Sequence, residues 1–190
     1  MAAEPGVVRL RALIDDDRAR LLKWRNQPEI AAQMYTDHTI TQAEHDVWFE
    51  RACDDASDYL YRVVEAGPDP IGLISLTGID VGTRTCTWGG YIGSLTWQGR
   101  GAGTAALWLS LGLAFGHLRL EQVRVEVLAR NGRAADMYSR FGFEERDDFH
   151  KVVVKSGQYC DVVGLALSRE RWAATEPPLH RVLKQRGLIS

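Results

Sequence analysis

The chain has 190 residues, 45% of them hydrophobic, which suits one domain with a substantial core. Its formal net charge is −2 and its isoelectric point is near 6.2, so no overall basic surface directs it to nucleic acid or to an anionic membrane. We therefore expect neither a nucleic-acid partner nor a membrane partner.

The cysteines, the histidines and the N-terminus bear on compartment and metal content. Cys53, Cys86 and Cys160 form neither a C-x-x-C pair nor a zinc-binding spacing, as expected of reduced thiols. His38 and His45 lie close in sequence but lack a third ligand. The first residues, MAAEPGVVRL, lack the cationic and long apolar regions of a signal peptide. We expect a cytoplasmic protein without a bound metal.

The first half of the chain begins with a strand and continues into helices. Alternating, β-rich residues predict a strand over 7–14, and the acidic run 15–17 is typical of the start of a helix. Thr41 and Glu44 match a capping box, which predicts another helix directly after them. Further strands are predicted over 59–67, 70–80 and 85–93.

The second half alternates helices with strands. The apolar run up to residue 117 is shorter than the roughly 20 residues of a membrane span, so we predict a buried helix over 103–117. A strand over 122–129 and a helix beginning near Asn131 follow. Two last strands, 144–155 and 159–168, are predicted to form a hairpin.

This order of elements, β-α-α-β-β-β-α-β-α-β-β, indicates the fold class. Three successive strands favour an antiparallel part, and the later β-α-β step favours a parallel one. We therefore predict an α/β fold with a mixed, twisted sheet of about seven strands flanked by helices. One domain is expected over 1–172, with the segment AATEPP separating it from a C-terminal tail, 173–190, that holds a short basic helix.

The stretch WQGRGAGT, residues 97–104, places three glycines in five positions directly before a predicted helix. A helix N-terminus leaves backbone N–H groups unpaired, and glycines let phosphate oxygens approach them, so the stretch predicts a phosphate-binding loop. GAGTAA also fits a dinucleotide fingerprint, but that motif opens a βαβαβ unit, whereas three predicted strands precede this loop. The P-loop pattern G-x-x-x-x-G-K-[ST] is absent from the sequence.

Two blocks of this chain resemble the GNAT superfamily of N-acetyltransferases. The loop QGRGAG (98–103) resembles the superfamily's R/Q-x-x-G-x-G/A motif, and EVLARNGRAADMYSRFGF (126–143) resembles its strand–Asn–helix–Tyr–Gly-Phe block. The resemblance implies a GNAT fold whose central strands splay at an acetyl-CoA site, in keeping with the Gly89-Gly90 pair. It implies acetyl-CoA as cosubstrate, with contacts from Tyr91, Ile92, Gly93, Gln98, Gly99, Arg100, Gly101, Ala102, Gly103, Thr104 and Asn131.

Amide formation from a thioester needs a base for the amine and a proton for the leaving thiolate. The resemblance implies Glu126 as the base, because similar acetyltransferases place a base twelve positions before the motif tyrosine. It implies Tyr138 as the acid. The structural alternatives are an exposed strand carboxylate for Glu126 and a helix aromatic packed on Phe141 and Phe143 for Tyr138.

The N-terminal third of the chain resembles one group of enzymes within this superfamily. LLKWRNQPEI and MYTDHTITQAEHDVWFE are similar to the N-acetyltransferases of pseudaminic acid biosynthesis, a route to flagellin glycans. Those enzymes acetylate the 4-amino group of a UDP-linked 4-amino-4,6-dideoxy-N-acetyl-β-L-altrosamine. The resemblance implies a UDP-amino sugar acceptor, with Arg25 and His45 on its phosphate oxygens. The expected acceptor contacts are Arg25, Met34, Tyr35, His45, Trp48, Thr77 and Tyr91.

Two other functions stay open from the sequence. The first keeps the chemistry and changes the acceptor to a protein N-terminus or another small amine, as in the ribosomal-protein acetyltransferases that share the WRN stretch. The second is a non-catalytic acyl-CoA-binding domain, which would need neither Glu126 nor Tyr138. A homodimer is one possible assembly.

Overall fold

A mixed β-sheet forms the centre of the computed structural model, which describes residues 6–54 and 58–190. In these residues the strands are β1 (Val8–Arg11), β2 (Tyr59–Ala66), β3 (Asp69–Asp80), β4 (Thr85–Ile92), β5 (Gln122–Leu128), β6 (Glu144–Glu145), β7 (Lys151–Lys155) and β8 (Gln158–Ser168). The flanking helices are α1 (Arg18–Arg25), α2 (Pro28–Ala31), α3 (Gln42–Cys53), α4 (Ala102–Leu111), α5 (Gly132–Arg140) and α6 (Arg169–Gln185). The predicted α/β class is confirmed.

The described strands follow the order β1-β2-β3-β4-β5-β8-β6, and β7 pairs with β8. The pairs are antiparallel apart from β4 and β5, which run parallel. Those two strands pair only where Thr85–Thr87 lie beside Gln122–Arg124. Beyond this point they separate, so the predicted splay at the centre of the sheet is confirmed.

Two apolar cores hold the sheet between its helices. The larger core joins one sheet face to α4 and α6, with Trp88, Leu107 and Trp172 among its buried members. The smaller core packs α1 and α3 on the opposite face, around residues such as Leu21 and Phe49. The two faces arise because successive side chains of a strand point to opposite sides.

Helix α3 begins at the predicted capping box. The Thr41 hydroxyl accepts a hydrogen bond from Glu44 N–H, and the Glu44 carboxylate accepts one from Thr41 N–H at 2.8 Å. The helix turns His45, Phe49 and Ala52 into the protein, a spacing of four and three residues that defines one buried face.

The strand expected over 144–155 is divided into β6 and β7, which brings the strand number to eight in the described residues. Between them, residues 147–149 form a short 3-10 turn. Phe149 lies directly against Gly164 of β8, where a Cβ would overlap it. Pairing along this edge of β8 is therefore interrupted, and the predicted hairpin is formed by β7 and β8, with its turn at Ser156 and Gly157.

The C-terminal residues correct the expectation of a tail that separates at 173–178. Helix α6 runs through this segment without a break and contains Pro177 and Pro178. Beyond it, Leu188 is buried in the larger core, and its carbonyl accepts a hydrogen bond from Val8 N–H at 2.8 Å. Packing of the apolar face outweighs the helix-breaking tendency of the prolines. The last residues are therefore part of the folded body.

Candidate active site

The splay between β4 and β5 opens into a cleft of about 730 Å³. Strand β4 and the glycine loop form one wall, β5 and α5 form another, and α2 with the loop after it borders the far end. Most of the predicted site residues line this cleft: Met34, Tyr35, Tyr91, Ile92, Gln98, Gly99, Gly101, Gly103, Thr104, Glu126, Asn131 and Tyr138.

The glycine loop presents a helix N-terminus to the cleft. Gly99 and Gly101 have φ angles of +78° and +92°, which favour glycine, and α4 begins directly after Gly101 without a side-chain cap. The first intrahelical bond runs from Ala105 N–H to Gly101 O at 3.0 Å. The N–H groups of 102–104 precede it and have no intrahelical acceptor, as at any helix start. This arrangement suits a phosphate group.

Two predicted cofactor residues have structural contacts as well. Gln98 Nε2 donates to Ile92 O at 2.9 Å, which ties the loop to the end of β4. Asn131 caps α5, its Oδ1 accepting from Ala134 N–H at 3.2 Å. Both side chains also line the cleft, so the contacts fix their positions there.

Three predicted cofactor residues do not line the cleft. Gly93 faces the Trp24 ring, which leaves no room for a Cβ there. The Ala102 side chain is buried in the larger core. The Arg100 guanidinium lies 5.9 Å from the centre of the Trp97 ring. Of the three, Ala102 has a backbone N–H without an intrahelical acceptor, whereas Gly93 N–H donates to Ile71 O at 2.9 Å and Arg100 N–H to Trp97 O at 3.5 Å.

Tyr138 lies on α5 and is almost fully buried, with its ring 5.9 Å from Trp88 in an edge-on contact and 5.4 Å from Phe143. Burial raises the pKa of its phenol above the usual value. The phenol therefore keeps its proton at neutral pH, the state that a proton donor needs. Its aromatic packing and its place on the cleft wall are compatible with each other.

Glu126 lies where β5 leaves β4, and two side chains hold its carboxylate. Tyr35 O–H donates to Oε2 at 2.8 Å, and Lys151 Nζ donates to the same oxygen at 2.6 Å. Lys151 also lies 4.9 Å from the centre of the Tyr35 ring. Burial, followed by the bond to Glu126, raises the Tyr35 pKa, so this phenol remains a donor. Among the described residues no hydrogen bond reaches Oε1, which is left for water or an amine.

The hairpin of β7 and β8 holds the loop that follows α2. Lys155 Nζ donates to the carbonyls of Ala31, Met34 and Thr36 at 3.0, 2.9 and 2.9 Å. At the turn, Asp37 accepts from Ser156 N–H at 2.7 Å. This clamp fixes Met34 and Tyr35 at the far end of the cleft.

Lys151 and Lys155 are site residues that sequence reasoning missed. Lys155 bonds to loop carbonyls more than a hundred positions earlier in the chain, and Lys151 contacts the equally distant Tyr35 ring and bonds to Glu126 on another strand, so no local motif connects them. The one signal is the pattern KVVVK, which places both lysines on the same face of a strand. That pattern predicts that the two lysines lie on the same face of the strand, but it does not predict which residues they contact.

Arg25 ends α1 and is half-buried beside this loop. Its Nη2 donates to Thr36 Oγ1 at 3.2 Å, and it lies close enough to Tyr91 for the two side chains to influence each other's pKa. Burial lowers the Arg25 pKa, and no carboxylate of the described residues pairs with it. The Tyr91 hydroxyl is buried and has no hydrogen-bond partner in the described part of the chain. Burial raises its pKa.

His45 is corrected from an acceptor contact to a core residue. It is only 2% exposed, and its Nε2–H donates to Arg18 O at 2.8 Å. Its ring lies 5.1 Å from the Trp48 ring, and burial lowers its pKa, so the imidazole is neutral at physiological pH. A neutral side chain sealed between α1 and α3 cannot pair with a phosphate.

Trp48 and Thr77 also lie away from the cleft lining. Trp48 packs edge-on against Tyr61 at 5.3 Å and covers the smaller core. Thr77 donates to Thr87 O at 3.4 Å within the pairing of β3 with β4. Neither side chain lines the cleft, so we correct their assignment to the acceptor.

The geometry above has a counterpart in a known protein family. Residues 8–144, more than half of the chain, match the family model for the acetyltransferase (GNAT) domain. The chain belongs to the GNAT acetyltransferase family. This GNAT protein is therefore an N-acetyltransferase with acetyl-CoA as its cosubstrate, and the glycine loop and the splayed strands fit that molecule.

Solved structures share the fold. The spermidine N-acetyltransferase from Vibrio cholerae, in complex with CoA and spermine, aligns with a TM-score of 0.79 and 23% identity over 87% of this chain and 98% of that chain. A chimera of the Vibrio cholerae enzyme and hSSAT aligns with a TM-score of 0.78 and 23% identity, over 87% and 98%. A search of curated proteins gave no significant match. At this identity the likeness establishes the fold.

Two further observations concern metals and membranes. In residues 6–54 and 58–190, His, Cys, Asp and Glu side chains form no group of three or more that could hold a metal ion. Across the same residues, each helix is too short or too polar to cross a lipid bilayer.

Proposed function

We propose that this GNAT protein transfers the acetyl group of acetyl-CoA to the amine of a UDP-linked amino-dideoxy sugar. The proposed acceptor follows the resemblance of the N-terminal third to the N-acetyltransferases of pseudaminic acid biosynthesis. In that role the enzyme acts in the cytoplasm on the 4-amino group of the sugar, ahead of flagellin glycosylation.

The observation that carries the proposal is that Arg25 is half-buried and has no carboxylate partner among the described residues. A half-buried guanidinium without a carboxylate partner in the described residues is unfavourable unless a ligand supplies the anion. Arg25 lies beside Tyr91, which lines the cleft, and bonds to Thr36 of the loop after α2, although Arg25 itself is not among the lining residues. A diphosphate meets this requirement because its oxygens accept paired hydrogen bonds from a guanidinium.

The charges around the loop also favour an anionic acceptor over a polyamine. Lys151, Lys155 and Arg130 all donate to this region, Arg130 through its Nη2 to Ala32 O at 2.8 Å. Glu126 is already paired with Lys151 at 2.6 Å. A polyamine would depend on Glu29, a cleft carboxylate that forms no ion pair among the described residues, whereas a nucleotide diphosphate would pair with the cations around the loop.

Glu126 and Tyr138 are proposed to divide the proton transfers. Glu126 accepts a proton from the acceptor amine, directly or through water, while Tyr35 and Lys151 hold its second oxygen in place. Tyr138 donates its phenolic proton to the departing thiolate. The unpaired N–H groups where β4 separates from β5 provide donors for the thioester oxygen. When bound, acetyl-CoA supplies the activated acetyl group.

The test is titration with UDP alone. Because UDP carries no amino sugar, the result does not depend on which amino sugar is the acceptor. We expect UDP to bind, and Arg25→Gln to weaken its binding about tenfold, the value of one charge-assisted contact. Lys23→Gln is the matched control, because Lys23 is exposed on the same helix. That variant should bind UDP like the wild type. Acetylation of UDP-amino sugars, spermidine and peptides is compared in parallel by mass spectrometry.

Two results would overturn the proposal. If UDP has no measurable affinity and spermidine or a peptide is acetylated instead, the acceptor is a different amine. If both variants bind UDP equally well, Arg25 is not the anion contact.

A further inference from the structure

The residues after α6 fold back onto the glycine loop. Gly187, with a φ of +66°, ends the helix, and Leu188 N–H donates to Leu183 O at 3.0 Å while Gly187 N–H donates to Lys184 O at 3.0 Å. These two bonds define a Schellman motif, in which the apolar residues at either end of the longer bond pack together. Leu183 and Leu188 are both 1% exposed. The turn is therefore fixed by the fold.

The turn after α6 packs against the backbone of the glycine loop. A Cβ at Gly101 would lie 2.8 Å from Leu188 Cδ1, so the backbone of the loop rests directly on this side chain. The Leu188 carbonyl is bound by Val8 N–H at 2.8 Å, which ties the turn to β1. The position of the α4 N-terminus thus depends on the end of the chain.

Arg186 reaches from this turn to the cleft. Its Nη1 would lie 3.3 Å from a Cβ at Gly101, its Nη2 donates to Arg100 O at 3.5 Å, and it lines the same cleft as Gly99 and Gly103. Among the described residues no carboxylate forms an ion pair with Arg186. Across the loop, an Arg133 nitrogen would lie 3.7 Å from a Cβ at Gly99. Two guanidinium groups therefore border the loop where its N–H groups are unpaired.

We propose that Arg186 binds the diphosphate of acetyl-CoA, and that the C-terminal turn is part of the cosubstrate site. A guanidinium beside a helix N-terminus adds a charge-assisted pair to the backbone hydrogen bonds that a phosphate receives there. The match to the family model ends at residue 144, so this contact comes from outside the matched region. The proposal does not depend on the identity of the acceptor.

Binding of CoA to the full chain tests the proposal. Arg186→Gln should weaken CoA binding about tenfold by titration calorimetry, and reduce the rise in Tm that CoA produces. Arg181→Gln is the matched control, since Arg181 is exposed on α6, five residues before Arg186, and does not line the cleft. Because Arg186 is itself exposed, the variant should keep the Tm of the wild type when no ligand is present.

A second probe separates the diphosphate from the other phosphate of CoA. Dephospho-CoA lacks the 3′-phosphate but keeps the diphosphate, so Arg186→Gln should weaken its binding by the same factor. If the effect disappears with dephospho-CoA, or if Arg186→Gln and Arg181→Gln bind CoA equally well, the assignment of Arg186 to the diphosphate is wrong.

Discussion

The two ends of the cleft are built in different ways. The cosubstrate end consists of contiguous stretches, the glycine loop with the start of α4 and the strand–helix block around Asn131, and it offers largely backbone groups. The acceptor end consists of single side chains brought together across the chain. Lys155 holds a loop 119 to 124 positions before it, and Tyr35 reaches Glu126, 91 positions away.

This difference explains why the sequence predicts the cosubstrate end of the cleft better than the acceptor end. A helix start with glycines offers its own unpaired backbone N–H groups to a phosphate, so one stretch of sequence is enough to predict that end of the cleft. An acceptor pocket made from distant side chains has no such signature, and its charge depends on which pairs form. Variants at the two ends should therefore separate effects on acetyl-CoA from effects on the acceptor.

The largest effect is expected at the cosubstrate end. Tyr138→Phe should lower kcat by about 10²–10⁴-fold and leave the KM for acetyl-CoA nearly unchanged, because the hydroxyl acts as the thiolate departs. Steady-state kinetics check this, with Tyr159→Phe as a control whose ring is exposed on β8. Turnover like the wild type in Tyr138→Phe would limit this residue to packing.

A smaller effect is expected at the acceptor end. Lys155→Met removes three hydrogen bonds to the loop after α2, so the KM for the acceptor should rise about tenfold while CoA binding is retained. Kinetics with each substrate varied in turn measure the two effects, and Lys184→Met on the exposed face of α6 is the control. If Lys155→Met weakens the binding of CoA as much as that of the acceptor, the two ends of the cleft do not act independently.

The smallest effect concerns His45, which the structure moves from the acceptor site into the core. Burial lowers its folded-state pKa below the usual value near 6.5. The unfolded chain then binds a proton more readily, so the free energy of unfolding should fall as the pH drops below about 6.5. Urea unfolding between pH 7.5 and 5.5 should show a shallower pH dependence in His45→Gln. An unchanged slope in that variant would contradict a buried, neutral imidazole.

Some features were predictable because they are local. The capping box at Thr41 and the helix start at Asn131 follow from residues adjacent in sequence, and the separation of β4 from β5 was implied by the family resemblance; each is present in the structure. The break between β6 and β7 was not predictable, because it depends on Phe149 packing against Gly164. His45 was misassigned because the sequence does not show whether a polar residue on α3 lies on the buried face of the helix or faces a ligand.

The sequence by itself determined the order of elements, the glycine loop and the family to which the chain belongs, since these depend on short motifs and on hydrophobic period. Only the tertiary structure decided what each charged side chain faces. It left Arg25 without a carboxylate, paired Glu126 with Lys151, and brought Arg186 from the chain end to the glycine loop. The reason is physical: backbone geometry follows from neighbouring residues, whereas the environment of a charge follows from burial and from partners far away in the chain.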